Sequence, residues 1–558
     1  MKINKLRIEL ICSFLILMVF VIIVIIKLLP GYKNTDISDM VNLVINNSNV
    51  TEYLKKNNTE VFIDANEIVY ISINDIRNFF DEHIYLDEKY NNIISTYNTK
   101  VMTLNLDNEE VYVNGEKIDK KAKTIYLNGI MYLPFSVIED VYNAKVKYIK
   151  ETNTVIIDTF DKDKIVASIV YNTKIKARER SLSRTIQKIE KGDCVIIIFQ
   201  GDNWSKIRTD NGKIGFIKNS ALENLEEKKS NITVSEKNDG RVNLVWDYFS
   251  IYSSAPNRDG QQIHGLNVIS PSFFSLIKEG KGEIYSNVGE KGKKYIEWAH
   301  NNKYKVWAIV SNESLKDTTS EVMKDYKLRE NLIENILEEV QKYNLDGINI
   351  DFENMYMEDK DLFSRFIIEL KPRLQELEKT LSVDVTAPDG TETWSMCYDR
   401  NTIGEVADYI IFMAYDQYGE SSTTAGTTSG YNWVKVNLNK FINTEEVETE
   451  KIILGLPFYT RVWSLDGNNK VIKKPTVSMK NVYSIIPKDA NIIWDDSLKQ
   501  NVAEYKEENY IKKIWIEDEK SFKEKLSLIN LYNLGGVATW RKDMELDSIW
   551  RLIDDTIL

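Results

Sequence analysis

The stretch that decides the fold is Asp346–Glu353, which reads Asp-Gly-Ile-Asn-Ile-Asp-Phe-Glu. Side chains alternate between the two faces of a β-strand. Asn349, Asp351 and Glu353 therefore share one face with Gly347, and the apolar residues between them share the other. Because two carboxyls and an amide are costly to bury, this pattern predicts a strand with an apolar face on the core and a functional polar face. A purely internal hydrogen-bond network is the alternative.

The sequence around this stretch alternates between apolar runs and longer amphipathic segments, as in parallel sheets with crossover helices. A helix is predicted over Leu328–Tyr343, just before the decisive strand, because its apolar residues recur on one face. Eight strands over about 310 residues fit a (β/α)8 TIM barrel with insertions. We predict these strands at Val242–Tyr248, Val268–Ser270, Lys305–Val310, Gly347–Phe352, Leu381–Thr386, Tyr409–Ala414, Ile452–Leu456 and Gly536–Trp540.

The seventh and eighth predicted strands are separated by Trp463–Glu519, which is too long for one helix and contains short β-like pieces. We predict that it forms a small α+β insertion before the last strand and walls one side of a cleft. In a (β/α)8 barrel the active site lies at the carboxyl ends of the strands. Asp351 and Glu353 end the fourth strand, so the sequence predicts that they lie in the barrel mouth.

Composition and charge exclude several classes of function. The chain has 558 residues, with 72 Lys and Arg against 84 Asp and Glu, and a formal net charge of −12. This acidic balance argues against a nucleic-acid-binding protein, which needs a basic surface. His83, His264 and His300 are far apart, and no cysteine pair has zinc-ligand spacing. We predict no metal and no cofactor, and we expect a monomer.

The N-terminus predicts export. Lys2, Lys5 and Arg7 precede an apolar run over Leu10–Ile26, which is longer than the apolar region of a signal peptide and lacks a small-residue cleavage site. We predict a cytoplasmic tip and a transmembrane signal anchor within residues 1–30, with the rest of the chain outside the cell membrane, because basic residues stay on the cytoplasmic side. Secretion after signal cleavage is the alternative.

Two modest domains are predicted between the anchor and the barrel. Residues 31–59 are polar and Asn-rich and are interpreted as a spacer, and residues 60–160 as an α+β domain with a tight hairpin at Asn114-Gly115. The segment VYVNGEKIDKKAKTIYLNGIMYLPFSVIEDVYNAKVKYIKETNTVIID resembles the domain family named after the N-terminal region of copper amine oxidases. Since His83 is the only histidine in this domain, no copper ligand set is expected. A spacer or wall-contact role is the favoured interpretation.

The second modest domain is predicted over residues 165–225 as short strands joined by turns. Its stretch KIEKGDCVIIIFQGDNWSKIRTDNGKIGFIKNSAL resembles a bacterial SH3-like β-barrel. Such modules often bind cell-wall peptides, so Trp204 is either a ligand platform or an aromatic of a small core. Residues 226–239 are charge-rich and predict a linker. The large domain then covers residues 240–558.

Four motifs of the large domain together resemble family 18 of the glycoside hydrolases, the chitinase and N-acetylglucosaminidase barrel family. The decisive stretch matches the family's Asp-x-x-Asp-x-Asp-x-Glu signature, except that Asn349 stands where the longer signature has Asp. The other matches are MAYDQYG at Met413–Gly419, LGLPFYTRVW at Leu454–Trp463 and GGVATWR at Gly535–Arg541. The resemblance is greatest to the bacterial subgroup that acts on peptidoglycan, including spore-cortex enzymes.

The resemblance implies a substrate-assisted reaction, which is an exception to the two-carboxylate retaining scheme. Glu353 would protonate the leaving oxygen and then deprotonate the incoming water. Asp351 would orient the N–H of the substrate's acetamide, and Tyr415 would hydrogen-bond the acetamide oxygen. Asn349 is expected to be one of the substrate-binding residues and to hydrogen-bond Asp351. It cannot share a proton with Asp351 as the aspartate of the full signature can. Trp540 would stack on the cleaved sugar.

Further residues are assigned on the same resemblance. Asp416, Tyr459 and Arg461 are expected to contact sugar, although a structural ion pair of Arg461 stays open. Asp346 lies out of phase with the inward-facing set and is expected to support the start of the strand. Trp394 and Trp463 either stack on sugars in subsites or pack in the core.

The sequence thus predicts a membrane-anchored glycosidase that cleaves β-1,4-linked N-acetylhexosamine polymers, with peptidoglycan or spore cortex as the expected substrate. A non-catalytic wall-glycan-binding protein on the same scaffold is the first alternative. Glu353 discriminates between the two, because scaffolds that lose activity usually lose this acid. A different barrel enzyme is the second alternative and is disfavoured by the agreement of several strand motifs.

Overall fold

The computed structural model describes residues 18–19, 40–230 and 240–557. The chain divides into two compact units, Met1–Ile232 and Thr233–Leu558, each of which is described by itself. The predicted anchor at residues 1–30 lies outside the described residues, except for Met18 and Val19. No helix in the described part of the chain is long and apolar enough to cross a membrane.

The first unit begins with a domain of three small sheets and three short helices. The helices are Thr51–Lys56, Ile73–Phe79 and Phe135–Ile138. The strands of the three sheets, in spatial order, are Ala144–Ile149, Thr154–Thr159, Asn42–Ile45 and Ser48–Asn49; Ile125–Leu127, Ile130–Pro134, Val69–Ser72 and Phe62–Ile63; and Tyr85–Asp87, Asn92–Tyr97, Lys100–Asn105, Glu110–Val113 and Glu116–Lys121.

The spacer predicted at residues 31–59 is wrong where the structure describes it. Asn42–Ile45 is a strand that pairs in parallel with Thr154–Ile157, at the other end of the domain. Leu43 and Val44 are buried in this pairing. The short apolar run was too weak to be recognised locally, because its strand partner lies more than a hundred residues away in the sequence.

The second part of the first unit is a seven-stranded antiparallel sheet. In spatial order its strands are Thr185–Ile189, Thr173–Lys176, Ile214–Lys218, Trp204–Thr209, Cys194–Gln200, Lys164–Ile169 and Leu222–Lys228. The predicted linker 226–239 therefore starts too early, because residues up to Lys228 pair with the strand Lys164–Ile169. The rest of the predicted linker, from residue 231, lies outside the described residues. The resemblance of this sheet to SH3-like barrels stays a prediction.

The second unit is built on an eight-stranded parallel barrel, as predicted. Each strand pairs in parallel with the next, and the first pairs with the eighth. The strands differ from the predicted ranges by at most a residue at either end and lie at Val242–Asp247, Val268–Pro271, Lys305–Ser311, Gly347–Asp351, Thr380–Val385, Tyr409–Met413, Ile452–Pro457 and Gly536–Trp540.

Helices surround the barrel and bury the outward face of its strands. The predicted helix before the fourth strand runs from Tyr326 to Lys342 and begins where the Asp325 side chain accepts hydrogen bonds from the N–H groups of Lys327 and Leu328. A hairpin of Phe274–Leu276 and Ile284–Ser286 follows the second strand. The helices of the second unit are Gly289–Asn301, Lys316–Lys324, Tyr326–Lys342, Lys360–Glu376, Arg400–Val406, Tyr431–Asn443, Val482–Ile485, Glu519–Tyr532 and Ile549–Ile557.

The inside of the barrel is packed at its lower levels and polar towards its mouth. A separate apolar cluster fills the interior, including Trp246, Trp307 and Ile411. The first residue of the fourth strand is Gly347. A Cβ at this position would lie 2.6 Å from the Thr380 carbonyl oxygen and 2.7 Å from the Trp307 ring, so a side chain would not fit. Apolar side chains therefore fill the barrel below the polar side chains of the fourth strand, so these polar side chains can reach solvent only through the barrel mouth.

The predicted insertion before the eighth strand is a six-stranded antiparallel sheet with a short helix at Val482–Ile485. Lys525 and Glu517 form a fully buried ion pair at its base, with 2.6 Å between Nζ and Oε1. Lys525 also donates to the carbonyl oxygen of Ser429, so the pair ties the insertion to the loop after the sixth barrel strand. The strands are Tyr459–Leu465, Val471–Lys473, Thr476–Ser478, Asn491–Asp495, Gln500–Glu507 and Tyr510–Ile516.

Candidate active site

The fourth strand presents its side chains as the alternation predicts. Ile348, Ile350 and Phe352 are completely buried against the surrounding helices. Asp351 and Glu353 are half-buried at the carboxyl end of the strand, in the barrel mouth. The sequence pattern therefore correctly predicts which residues of this strand reach the opening.

Glu353 lies at the junction of two cavities. A cavity of about 290 Å³ is lined by Glu353 together with Asp351 and Trp540. A larger cavity of about 730 Å³ is lined by Glu353 together with Tyr415 and Asp416. Glu353 is thus the residue shared by both halves of an open cleft.

The electrostatics of the cleft give its two carboxyls different properties. Burial raises the pKa of Glu353 to about 8, with further contributions from the negative charges of Asp351 and Asp416. Burial raises the pKa of Asp351 to about 6, with a further contribution from Glu313. At neutral pH, Glu353 is mostly a protonated acid and Asp351 is mostly a carboxylate. Groups with opposed protonation states, side by side, are typical of acid–base sites.

Asn349 is not a substrate contact, contrary to the prediction. Its side chain is completely buried beneath the cleft. Trp246 Nε1 and Ser270 Oγ donate to Asn349 Oδ1 over 2.8 and 3.2 Å. Asn349 Nδ2 donates to Ser382 Oγ over 3.1 Å and to Asp384 Oδ1 over 2.8 Å. The expected bond to Asp351 is absent from the hydrogen bonds of the described residues, because the amide Nδ2 of Asn349 donates to two residues of the fifth strand instead.

The residues after the sixth and seventh strands form one cluster. Tyr415 is half-buried and lines the larger cavity, and burial raises its pKa well above the usual range. Tyr459 OH donates to Asp416 Oδ1 over 2.8 Å, and Arg461 donates to the same oxygen over 3.2 Å. Arg461 therefore forms the ion pair that the sequence left open, while it also lines the larger cavity. Tyr459 is buried, so it is better described as holding Asp416 than as the predicted sugar contact.

The tryptophans separate into cleft residues and core residues. Trp540 is half-buried beside the smaller cavity, with ring centroids 5.9 Å from Trp246 and 5.8 Å from Tyr248. Trp394 is 43% exposed and lines the larger cavity. Trp463 is completely buried and donates from Nε1 to the Gly426 carbonyl oxygen, so packing is its role.

Asp346 lies at the opposite end of the fourth strand from the cleft. Its carboxylate accepts a 2.8 Å hydrogen bond from the backbone N–H of Val306 and lies 2.8 Å from His300 Nε2. These contacts join the starts of the third and fourth strands. They agree with the supporting position expected for Asp346.

Several residues of the cleft, or directly beneath it, were not predicted. Asp384 is buried next to Asn349, and Ser382-Val383-Asp384 has the same polar–apolar–polar alternation as the fourth strand, so its signal was present in the sequence. Asn312, Glu313 and Tyr248 lie in loops after the third and first strands. Loop residues such as these carry no periodicity that would reveal them.

The comparison with protein families matches most of the second unit and the N-terminal domain of the first unit. The family model of glycosyl hydrolases family 18 matches residues 245–545, more than half of the chain. The chain belongs to glycosyl hydrolases family 18. The model of the copper amine oxidase N-terminal domain matches residues 44–157, which confirms the resemblance drawn from the segment that contains the Asn114-Gly115 hairpin.

Relatives of this family 18 glycosidase include proteins of Bacillus species. The uncharacterized glycosylase YvbX of Bacillus subtilis is 26% identical over 298 residues, 52% of this chain and 84% of the relative. The cortical fragment-lytic enzyme of Bacillus anthracis is 26% identical over 42% of this chain, but the match spans only 55% of that enzyme. The crystal structure of the spore cortex-lytic enzyme SleL of Bacillus megaterium shares the fold, with a TM-score of 0.50, 19% identity, and coverage of 66% of this chain and 89% of SleL.

Proposed function

We propose that this glycosidase hydrolyses β-1,4-linked N-acetylhexosamine polymers of the bacterial wall, in peptidoglycan or spore cortex, by substrate-assisted retention. One observation carries the proposal: a carboxyl with a pKa of about 8, Glu353, lies between two cavities and beside the lower-pKa carboxyl of Asp351. An acid that is protonated at neutral pH and open on both sides suits proton donation to a bond that spans the cavities.

The reaction begins with proton transfer from Glu353 to the glycosidic oxygen. The carbonyl oxygen of the sugar's own 2-acetamido group attacks the anomeric carbon as the bond to the leaving oxygen breaks. Asp351 accepts a hydrogen bond from the acetamide N–H and stabilises the positive charge that develops there. Water then opens the cyclic intermediate, and Glu353 takes the proton of this water, which restores the starting acid.

In this proposal each of the two cavities binds a different part of the substrate. The smaller one, with Asp351 and the half-buried ring of Trp540, suits the sugar whose anomeric bond is cleaved. Tyr415 borders the same junction and is protonated at any physiological pH, so its hydroxyl can donate to the acetamide oxygen and hold it for attack. The larger cavity, with Trp394, suits the leaving part of the chain.

We propose the bacterial wall as the source of the substrate on the basis of the relatives and the sequence. Cortical fragment-lytic enzymes are among the relatives of this chain, and the SH3-like resemblance of residues 165–225 suits contact with the wall.

Attachment to the cell membrane through residues 1–30, with the remainder outside, belongs to the same proposal and rests on the sequence alone. Protease digestion of intact cells tests it, because residues 40–558 are expected to be cleaved without cell lysis.

Mass spectrometry of digestion products tests the proposed substrate. The purified full chain is incubated with peptidoglycan, spore-cortex fragments and chitin oligomers. We expect products from peptidoglycan or cortex that end in a reducing N-acetylglucosamine. Release from chitin oligomers alone would reject the wall substrate, and no release from any of the three would favour the non-catalytic binding alternative.

A further inference from the structure

The register of the fourth and fifth strands brings a second carboxyl next to Asp351. Asn349 pairs with Ser382, and Ile350 pairs with Val383. The next position of this register sets Asp351 beside Asp384. Adjacent strands lie about 4.8 Å apart, and both residues belong to the inward-facing series of their strands. This chain has Asn349 where the family signature has a carboxyl. The register supplies a carboxyl from the neighbouring strand instead, that of Asp384.

We propose that Asp384 shares one proton with Asp351 and replaces the carboxyl that Asn349 removes from the signature. Asp384 is buried and cannot touch the substrate, so it is a positioning residue that acts through Asp351. The inference rests on the substrate-assisted reaction proposed above, in which Asp351 must turn a carboxylate towards the acetamide N–H.

The buried hydrogen bonds orient Asp384 for this role. Asn349 Oδ1 accepts from both Trp246 and Ser270, which fixes the orientation of the amide. Its Nδ2 must then face the fifth strand, where it donates to Asp384 Oδ1 over 2.8 Å. Asn349 thus acts as a bridge that secures one oxygen of Asp384. The Trp246 indole also faces the Asp384 carboxyl and opposes the rise of its pKa. The second oxygen of the carboxyl remains for a proton shared with Asp351.

Electrostatics favour a single shared proton. Burial raises the pKa of Asp384 well above the usual range, and the charge of Asp351 raises it further. The carboxyls of half-buried Asp351 and buried Asp384 oppose each other's ionisation, so they titrate as a pair. The other titratable groups that face the pair are Glu313, Glu353, Tyr398 and Tyr415, all of them acids. Each of them when ionised would make a second negative charge on the pair less favourable.

The shared proton allows Asp351 to change its charge without exchange with solvent. As the acetamide closes on the anomeric carbon, the proton moves fully onto Asp384, and Asp351 carries the whole negative charge beside the acetamide N–H. When water opens the intermediate, the proton returns to its shared position. The pair neither gains nor loses a proton over the cycle, because Glu353 supplies and recovers the proton of the leaving oxygen and the water.

Asp384→Asn tests the proposal, because the amide keeps the shape and can still accept from Asn349 and donate to Asp351. A purely structural role predicts an unchanged pH profile. A neutral amide stabilises the Asp351 carboxylate less than a shared proton does, so Asp351 will protonate more easily. We expect the acid limb of kcat to rise by about one pH unit or more and kcat to fall roughly tenfold or more, with KM little changed.

The exchange variant Asn349→Asp/Asp384→Asn provides the rescue. It restores the carboxyl to the signature position, keeps an amide–carboxyl contact between the two strands, and is expected to recover the wild-type acid limb and most of kcat. Ser382→Ala is the matched control, because it removes another partner of Asn349 without changing a titratable group, and its acid limb is expected to stay in place. An acid limb in Asp384→Asn that coincides with wild type, or a folded exchange variant without activity, would overturn the proposal.

Infrared difference spectra of the full chain test the shared proton without activity. Both proteins compared carry Glu353→Gln, which removes the protonated carboxyl of Glu353. In this background we expect the carbonyl band of a protonated carboxyl at neutral pH and its loss when Asp384→Asn is added. If the wild type hydrolyses none of the glycans, the proposed function fails, while the infrared result still decides the inference. If the wild type is active but the band persists in Glu353→Gln/Asp384→Asn, the inference alone fails.

Discussion

The side chain of Asn312 holds the backbone of Glu353 at both of its polar groups. The Glu353 N–H donates to Asn312 Oδ1 over 3.0 Å, and Asn312 Nδ2 donates to the Glu353 carbonyl oxygen over 2.9 Å. Glu353 lies two residues beyond the end of its strand, where the barrel ladder no longer fixes the chain. The buried Asn312 amide therefore fixes the backbone of Glu353 where the sheet no longer does, and Glu353 is the residue whose side chain must be positioned most accurately.

Asn312→Ala is expected to lower kcat roughly tenfold to a hundredfold, because small displacements of a catalytic group are costly in rate. Both backbone groups of Glu353 lose their partner, so the free energy of unfolding should also fall by about 1–3 kcal/mol. Steady-state kinetics and thermal unfolding measure the two effects. Loss of stability with unchanged kcat would show that Asn312 does not position Glu353.

The activity is expected to fall as pH rises through the pKa of Glu353, about 8, because the acid must be protonated to act. Asp416 contributes to that raised pKa as a like charge. Asp416→Asn removes this charge, so the pKa of Glu353 should fall and the alkaline limb of kcat/KM should move to lower pH. A pH–rate profile of both proteins is the measurement, and a shift to higher pH would contradict the assignment.

A thiazoline mimic of the cyclised intermediate is expected to inhibit competitively. Asp351→Asn removes the negative charge that faces the acetamide nitrogen, and Tyr415→Phe removes the donor to its oxygen. Both variants should bind the mimic more weakly, by roughly tenfold or more, since charge-assisted hydrogen bonds are lost in a buried site. Calorimetry measures this directly. Indifference of the wild type to the mimic would reject substrate assistance.

Lys525→Met is expected to destabilise the second unit by about 3–5 kcal/mol, because it leaves Glu517 buried without its cation. Lys499→Met is the matched control, since its pair with Asp496 lies at the surface, where water screens the charges, and its effect should be far smaller. Denaturant unfolding compares the two variants. Equal effects would mean that the buried pair does not anchor the insertion to the barrel.

The fold of the second unit was largely predictable because each barrel strand is a short, continuous apolar run. The same logic exposed Asp351 and Glu353, since polar residues at alternate positions stand out within such a run. The strand Asn42–Ile45 was missed because its meaning depends on a partner at Thr154–Ile157, far away in the sequence.

The candidate site was predictable only where strands supply it. Alternation places Asn349 on the correct face, but only the structure reveals that its amide is committed to Asp384 rather than to Asp351. Tyr459 was expected at the sugar and instead holds Asp416, because a motif gives the residue and not the direction of its side chain. Asn312 comes from a loop without a sequence pattern and could not have been found.

The most direct test of the account is the turnover of Glu353→Gln compared with Glu358→Gln on the same glycan. Glu358 is an exposed carboxyl in the same loop and lines neither cavity. We expect Glu353→Gln to lose roughly a thousandfold or more in kcat with an unchanged thermal unfolding curve, and Glu358→Gln to match the wild type. A folded Glu353→Gln variant with substantial activity would contradict the central claim that Glu353 donates the proton.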